Sequence, residues 1–256
     1  MTEHGEYMLE TRNLSKEFRG FLAVDDVNLQ VRKGEIHALI GPNGAGKTTV
    51  FNLLTKFHMP SRGQILFKGR DITRAKPSDI ARQGIVRSFQ ISAVFPHLTV
   101  LENVVVPLQR KAGLTTQFWR SGKALEALHG QARELLDWVG LADMADTVTV
   151  ELPYGSKRAL EIVTTLALDP ELLLLDEPTQ GMGHEDVDKV VELIHRVAAD
   201  RTVLMVEHNL SVVSRLSNRI TVLQRGSVLA EGDYDTVSNN PEVKAAYIGG
   251  QHAESA

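Results

Sequence analysis

The sequence predicts an α/β protein built on a parallel sheet, with a helical segment inserted into it. Three observations carry this prediction. HALI (His37–Ile40), LLLL (Leu172–Leu175) and TVLMV (Thr202–Val206) are apolar runs of strand length, and helix-like segments separate them. A glycine-rich loop, GPNGAGKTT, joins the first run to the helix-like TTVFNLLTKF. From about Ile91 to Val150 the character changes, and Leu125, Leu128, Ala132, Leu135, Leu136 and Val139 recur at helical spacing.

In chain order, Met8–Phe18 and Val27–Val31 mix apolar and polar residues as strands do, and Lys33-Gly34 marks a turn before HALI. GQILFKG (Gly63–Gly69) reads as a strand bounded by turn residues. Ile220–Leu223 supplies the last strand-type run, a helix is expected to start at Glu185, and QHAESA is expected to fray.

The 256 residues suffice for a substantial core, and 43% hydrophobic with 23% charged residues is a soluble, globular balance. A net charge of −4 supplies no basic field for nucleic acid, so none is expected as a partner. The lack of cysteine excludes disulfides and thiolate metal sites. MTEHGEYMLETRN has neither a positive n-region nor an apolar h-region, so no signal peptide is expected. No apolar run approaches the roughly 18 residues of a spanning helix. Work at a membrane would therefore require another chain to hold this one there.

Gly41-Pro42-Asn43-Gly44-Ala45-Gly46-Lys47-Thr48 fits the P-loop pattern GxxxxGK[ST], with Thr49 continuing into the helix. Glycines let successive backbone N–H groups converge on phosphate oxygens at a positive helix start. Lys47 can reach the β- and γ-phosphates, and the Thr48 hydroxyl can ligate Mg²⁺. The competing reading is a glycine-rich turn with a chance lysine, and the flanking strand and helix count against it. In LLLLDEP the strand delivers Asp176 towards Mg²⁺, and Glu177 can polarise an attacking water. An acidic start to the next helix is the alternative there.

With ELPYGSKR before LLLLDEP and EHNL after it, the chain resembles the ATP-binding subunits of ABC transporters, from about Leu9 to Gly249. The resemblance implies a P-loop nucleotide-binding domain with an antiparallel β subdomain and an inserted helical subdomain. Residues 8–90 and 160–250 would form the catalytic core, and 91–159 the helical subdomain with the signature, all in one domain over 1–256. Phe18 matches the aromatic that stacks on adenine; a core aromatic at a strand end is the alternative. Gln90 in RSFQ matches the glutamine that reaches Mg²⁺ and the attacking water. His208 in VEHNL matches the switch histidine on the γ-phosphate. FPHLTVLENV, WVGL, the Tyr-Gly pair of the signature, DEPTQGMG and NNPEVKAAYIGG resemble the branched-chain amino-acid importer group in particular. Urea and short-amide importers and lipopolysaccharide-export ATPases share much of the pattern.

The resemblance further implies ATP and Mg²⁺ as cofactors, two membrane permeases, a second ABC ATPase subunit and, indirectly, a solute-binding protein. Its place would be peripheral, on the cytoplasmic face of a bacterial inner membrane. A soluble ABC ATPase and a nucleotide-gated regulatory subunit are competing classes; one P-loop, a short insertion and intact Glu177 and His208 count against them.

In the family, each subunit lends its signature, usually LSGGQ, to the partner's ATP. Leu152, Pro153, Tyr154, Gly155 and Ser156 stand there in this chain. Pro153 has neither the hydroxyl nor a backbone N–H. A hydrogen bond to a charged group is worth about 1.5–3 kcal/mol. The site completed by this signature is thus expected to be handicapped roughly 10- to 150-fold. The D-loop departs as well, with Gly183 where an aspartate usually stands.

Overall fold

A computed structural model describes residues 7–88, 94–113 and 122–253. The chain runs β1 (Tyr7–Phe18), β2 (Phe21–Val27), β3 (Gln30–Arg32), β4 (Ile36–Ile40), α1 (Lys47–Leu54), β5 (Arg62–Phe67), β6 (Arg70–Asp71), α2 (Pro77–Arg82) and β7 (Ile85–Ser88). There follow α3 (Val100–Lys111), α4 (Gly122–Trp138), α5 (Tyr154–Leu166), β8 (Leu172–Asp176), α6 (His184–Ala198), β9 (Thr202–Val206) and α7 (Leu210–Leu216). The chain closes with β10 (Arg219–Gln224), β11 (Ser227–Gly232), α8 (Tyr234–Asn239) and α9 (Pro241–Ala253).

The larger sheet has six strands in the order β11-β10-β4-β9-β8-β7. All neighbours are parallel except β10 and β11. Strands β4, β8 and β9 are buried at every residue, which explains their unbroken apolar runs: both faces are covered. Alternate residues serve different cores, as the two-residue strand period requires. Leu39, Leu172, Leu174, Leu204 and Val206 pack with Val50, Phe51 and Leu54 of α1 and with the smaller sheet. Ala38, Ile40, Leu173, Leu175, Val203 and Met205 pack with α5, α6 and α7. Because β4, β8 and β9 run in parallel, their carboxyl ends share one edge, where ligands of open α/β sheets bind.

The smaller sheet is antiparallel, ordered β2-β1-β5-β6 with β3 also on β1. The helical insertion has its own cluster, built from Val100, Leu101 and Val104 of α3, Leu128, Ala132 and Leu136 of α4, and Leu160 and Val163 of α5. Thr99 and Glu102 form a capping box at the start of α3. Asn103 ties Phe95 and Thr99 to Thr149, its two Nδ2 hydrogens shared among Phe95 O, Thr99 O and Thr149 Oγ1 at 2.9–3.0 Å. Helix α5 contributes to this cluster and, through Ile162 and Leu166, to the core of the large sheet. It therefore crosses the expected boundary between residues 159 and 160. One element end differs from expectation, α6 starting at His184 with Gly183 as N-cap; of the tail expected to fray, residues 251–253 are helical and 254–256 lie outside the described residues.

Lys56 takes the position after the C-cap of α1, with φ 61°, where glycine is the usual residue. Its amino group is buried without a hydrogen-bond partner, and burial lowers its pKa to about 8 despite the nearby Asp71 carboxylate. The folded value lies below the ordinary 10.5, so the unfolded chain holds the extra proton between pH 8 and 10.5, and stability rises with pH across that window. Lys56→Gly removes the buried charge and the left-handed strain. With solvent screening allowed for, it is expected to stabilise by about 1–2 kcal/mol at pH 7. Urea titrations at pH 7 and pH 10 check this, the gain shrinking at the higher pH.

Candidate nucleotide site

The glycine-rich loop leaves β4 and ends on α1. Gly41, Gly44 and Gly46 have φ of 149°, 76° and 103°, backbone that L side chains rarely adopt. A Cβ on Gly41 would lie 2.2 Å from the Leu223 carbonyl oxygen, and one on Gly46 would lie 2.7 Å from that of Ala23. The loop is thus curled against β10 and β2 more closely than any side chain permits. Gly46 caps α1 with no side-chain hydrogen bond, so the amides of its first turn have no intrahelical partner and suit an anion. Lys47 Nζ donates to the carbonyls of Gly41 at 2.8 Å and Pro42 at 3.1 Å. Burial pushes the Lys47 amine below its ordinary pKa, and the carboxylates of Glu177 and Asp176 oppose that fall. Thr48 is exposed and Thr49 half-buried on the same turn.

Asp176 ends β8, and its carboxylate is buried in an ion pair with Arg87 near the end of β7. Arg87 also donates to Asn52 Oδ1 at 2.7 Å and lies over the Phe51 ring of α1. Glu177 has φ 45°, and its amide donates to Val206 O at 2.9 Å. His208 is exposed, with Nδ1 4.0 Å from Glu177 Oε2 and 3.7 Å from Glu207 Oε1, both beyond hydrogen-bond length. Glu207 is fully buried. It accepts from Thr179 Oγ1 and from the amides of His208 and Asn209, each at 3.1 Å, and so fixes the loop that carries His208.

The donor set suits a hard cation: Asp176 offers carboxylate oxygen and Thr48 a hydroxyl. Among the described residues no group of three or more His, Cys, Asp or Glu side chains could hold a metal. Mg²⁺ is commonly held by only one or two protein oxygens together with phosphates, and Asp176 and Thr48 are oxygen donors of that kind. Gln90, the third expected ligand, lies outside the described residues.

Phe18 ends β1 and is 38% exposed. His58 meets it edge-on with ring centroids 5.2 Å apart, and the Lys16 amine lies 4.9 Å from its centroid. It is therefore a surface aromatic rather than a core one.

Leu152 is buried, Pro153 is the N-cap of α5, and Tyr154, Gly155 and Ser156 form the first turn. Their amides have no intrahelical partner. The Tyr154 hydroxyl donates to Gln180 O at 3.0 Å. A Cβ on Gly155 would lie 2.8 Å from the Asp186 carboxyl, so the signature packs tightly on the start of α6. Pro153 provides no capping hydrogen bond. Pro153→Ser would supply both a cap and the missing hydroxyl. It is expected to raise helix stability by about 0.5–1 kcal/mol and turnover at the site this signature completes by roughly 10- to 150-fold. Melting and phosphate-release assays check the two effects separately.

Sequence reasoning passed over Arg87, Glu207 and Arg158. The first two stand inside the quoted motifs RSFQ and VEHNL, and the third closes ELPYGSKR.

Comparison with known proteins adds an independent view of this geometry. The family profile described as ABC transporter matches residues 24–180. A second, described as branched-chain amino acid ATP-binding cassette transporter, matches residues 227–253. The Escherichia coli high-affinity branched-chain amino acid transport ATP-binding protein LivG is 40% identical over 252 residues, covering 94% of this chain and 98% of LivG. The Pseudomonas aeruginosa counterpart BraF is 38% identical over the same coverage. Among solved structures, an ATP-binding cassette of an ABC transporter in its ADP conformation superposes with a TM-score of 0.84 at 30% identity, covering 95% of this chain and 99% of that one. A nucleotide-free cassette gives 0.82 at 28%, covering 94% and 98%.

Proposed function

Because the chain belongs to the ABC transporter ATP-binding family, in its branched-chain amino-acid transport group, we propose that it powers import of branched-chain or related amino acids by hydrolysing ATP. The observation that carries this reading is the similarity to LivG along nearly the whole of both chains. The match over the C-terminal segment adds to it.

In this reading the Gly41–Thr49 loop wraps the phosphates, and Lys47 turns from the Gly41 and Pro42 carbonyls towards the β- and γ-phosphates. Phe18 stacks on adenine. Asp176, Thr48 and Gln90 hold Mg²⁺, which neutralises phosphate charge when bound. Glu177 orients a water and takes its proton as the water oxygen bonds to the γ-phosphorus and the bond to the ADP oxygen breaks. His208 contacts the γ-phosphate. Leu152, Pro153, Tyr154, Gly155 and Ser156 face the ATP of a second ATPase subunit, and Pro153 favours a different chain as that partner. Pairing the chain with itself would weaken both sites.

Among the described residues no helix is long and apolar enough to cross a membrane. Two permeases hold the subunit on the cytoplasmic face of the bacterial inner membrane, and a solute-binding protein acts through them. The test is to purify the chain from membranes with its bound partners, reconstitute the assembly in vesicles and follow uptake of labelled solutes. ATP-dependent accumulation of leucine, isoleucine and valine is expected. Accumulation of urea or short amides in their place would overturn the substrate reading.

A further inference from the structure

Helix α5 begins with the signature and grips the turn that carries Glu177. Arg158, buried one turn into that helix, spends nearly its whole guanidinium there. Its Nε donates to Pro178 O at 3.1 Å, and its Nη2 donates to Asp176 O at 2.9 Å and Glu177 O at 3.2 Å. The remaining arm, Nη1, donates to Glu161 Oε2 at 2.6 Å, one helical turn further on. Tyr154 adds its bond to Gln180 O. Four carbonyls of the segment 176–180 thus accept from two side chains of one helix.

The turn needs such support. Glu177 sits at φ 45°, a conformation that disfavours residues with a Cβ and persists where surroundings over-determine it. Its amide is fixed by Val206 O, on β9. The other side of the residue is its carbonyl, which accepts from Gln180 N at 3.1 Å within the turn and from Arg158 Nη2 at 3.2 Å across to the signature helix. The planar, five-donor fork spans three successive carbonyls, which a lysine ammonium cannot reproduce. Glu161 balances the buried charge, so the guanidinium is set in place before any ligand arrives.

We propose that Arg158 is the positioning residue for Glu177: it holds the carboxylate where it can orient water, and it ties that position to the signature helix. The proposal rests on the reading of Glu177 as the proton acceptor. Movement of the signature on a partner's nucleotide is then felt at this chain's own Glu177 through Arg158, with Tyr154 holding the end of the same turn.

The test uses Arg158→Lys and Arg158→Gln in the assembled transporter, with Glu177→Gln alongside. Arg158→Lys is expected to lower kcat about ten- to a hundredfold while KM and nucleotide affinity stay within twofold. Amide hydrogen exchange in the full chain is expected to quicken at 177–180 and to stay unchanged at 41–49. Arg158→Gln is expected to follow the same pattern more strongly. Unchanged kcat and unchanged exchange at 177–180 would overturn the proposal. Equal loosening of 41–49, or loss of fold in both variants, would also overturn it in favour of a purely structural role. Retained turnover in Glu177→Gln would instead sink the assignment of Glu177, a separate outcome.

Discussion

Glu177→Gln is expected to leave ATP bound while steady-state hydrolysis falls by about 10²–10⁴-fold. The substitution is nearly isosteric, and the backbone at φ 45° is equally available to both residues, so the turn between Asp176 and Gln180 keeps its shape. What disappears is the group that accepts the proton of the attacking water. Nucleotide affinity is expected to hold or to tighten. Glu177 is one of two carboxylates facing Lys47, and removing its charge lessens repulsion of incoming phosphates. Fluorescent-nucleotide titration and phosphate release measure the two quantities on the same preparation. Turnover within threefold of the parent would show that another group takes the proton.

How far such a site can be read from sequence depends on how locally its parts are specified. The loop at 41–49 is legible because phosphate binding needs fixed spacing within nine consecutive residues. The buried strand before Asp176 is legible because burial on both faces demands an unbroken apolar run. Arg87 is not, since its meaning comes from Asp176, 89 residues away, across the pairing of β7 with β8. Arg158 looks like an ordinary helix cation until the fold brings Pro178 O, 20 residues on, within reach. Glu207 follows an apolar strand and has the composition of a surface residue, yet it is wholly buried and serves as the anchor of the next two amides. The strand order itself was hidden for a related reason. Parallel neighbours such as β4 and β9 are joined by long crossovers, so pairing is decided by packing rather than by adjacent turns.

Lys47→Met is expected to weaken ATP binding by about 10²–10³-fold, which is about 3–4 kcal/mol. The setting of the amine explains why so much rests on it. Lys47 is buried beneath the loop and donates to Gly41 O and Pro42 O, and burial lowers its pKa while the Glu177 and Asp176 carboxylates oppose that fall. A γ-phosphate therefore meets a cation already stripped of most of its water, which exchanges the Gly41 and Pro42 carbonyls for phosphate oxygens in a charge-assisted contact. Methionine keeps the stem's packing and removes only the charge. Lys47→Arg is no substitute, because a planar, forked guanidinium does not reproduce a compact ammonium. The loss should be graded by ligand: ATP, with a γ-phosphate in reach, suffers more than ADP. A loss equal for ATP and ADP would place the amine on the β-phosphate alone, and a loss below threefold for both would remove Lys47 from the phosphate contacts.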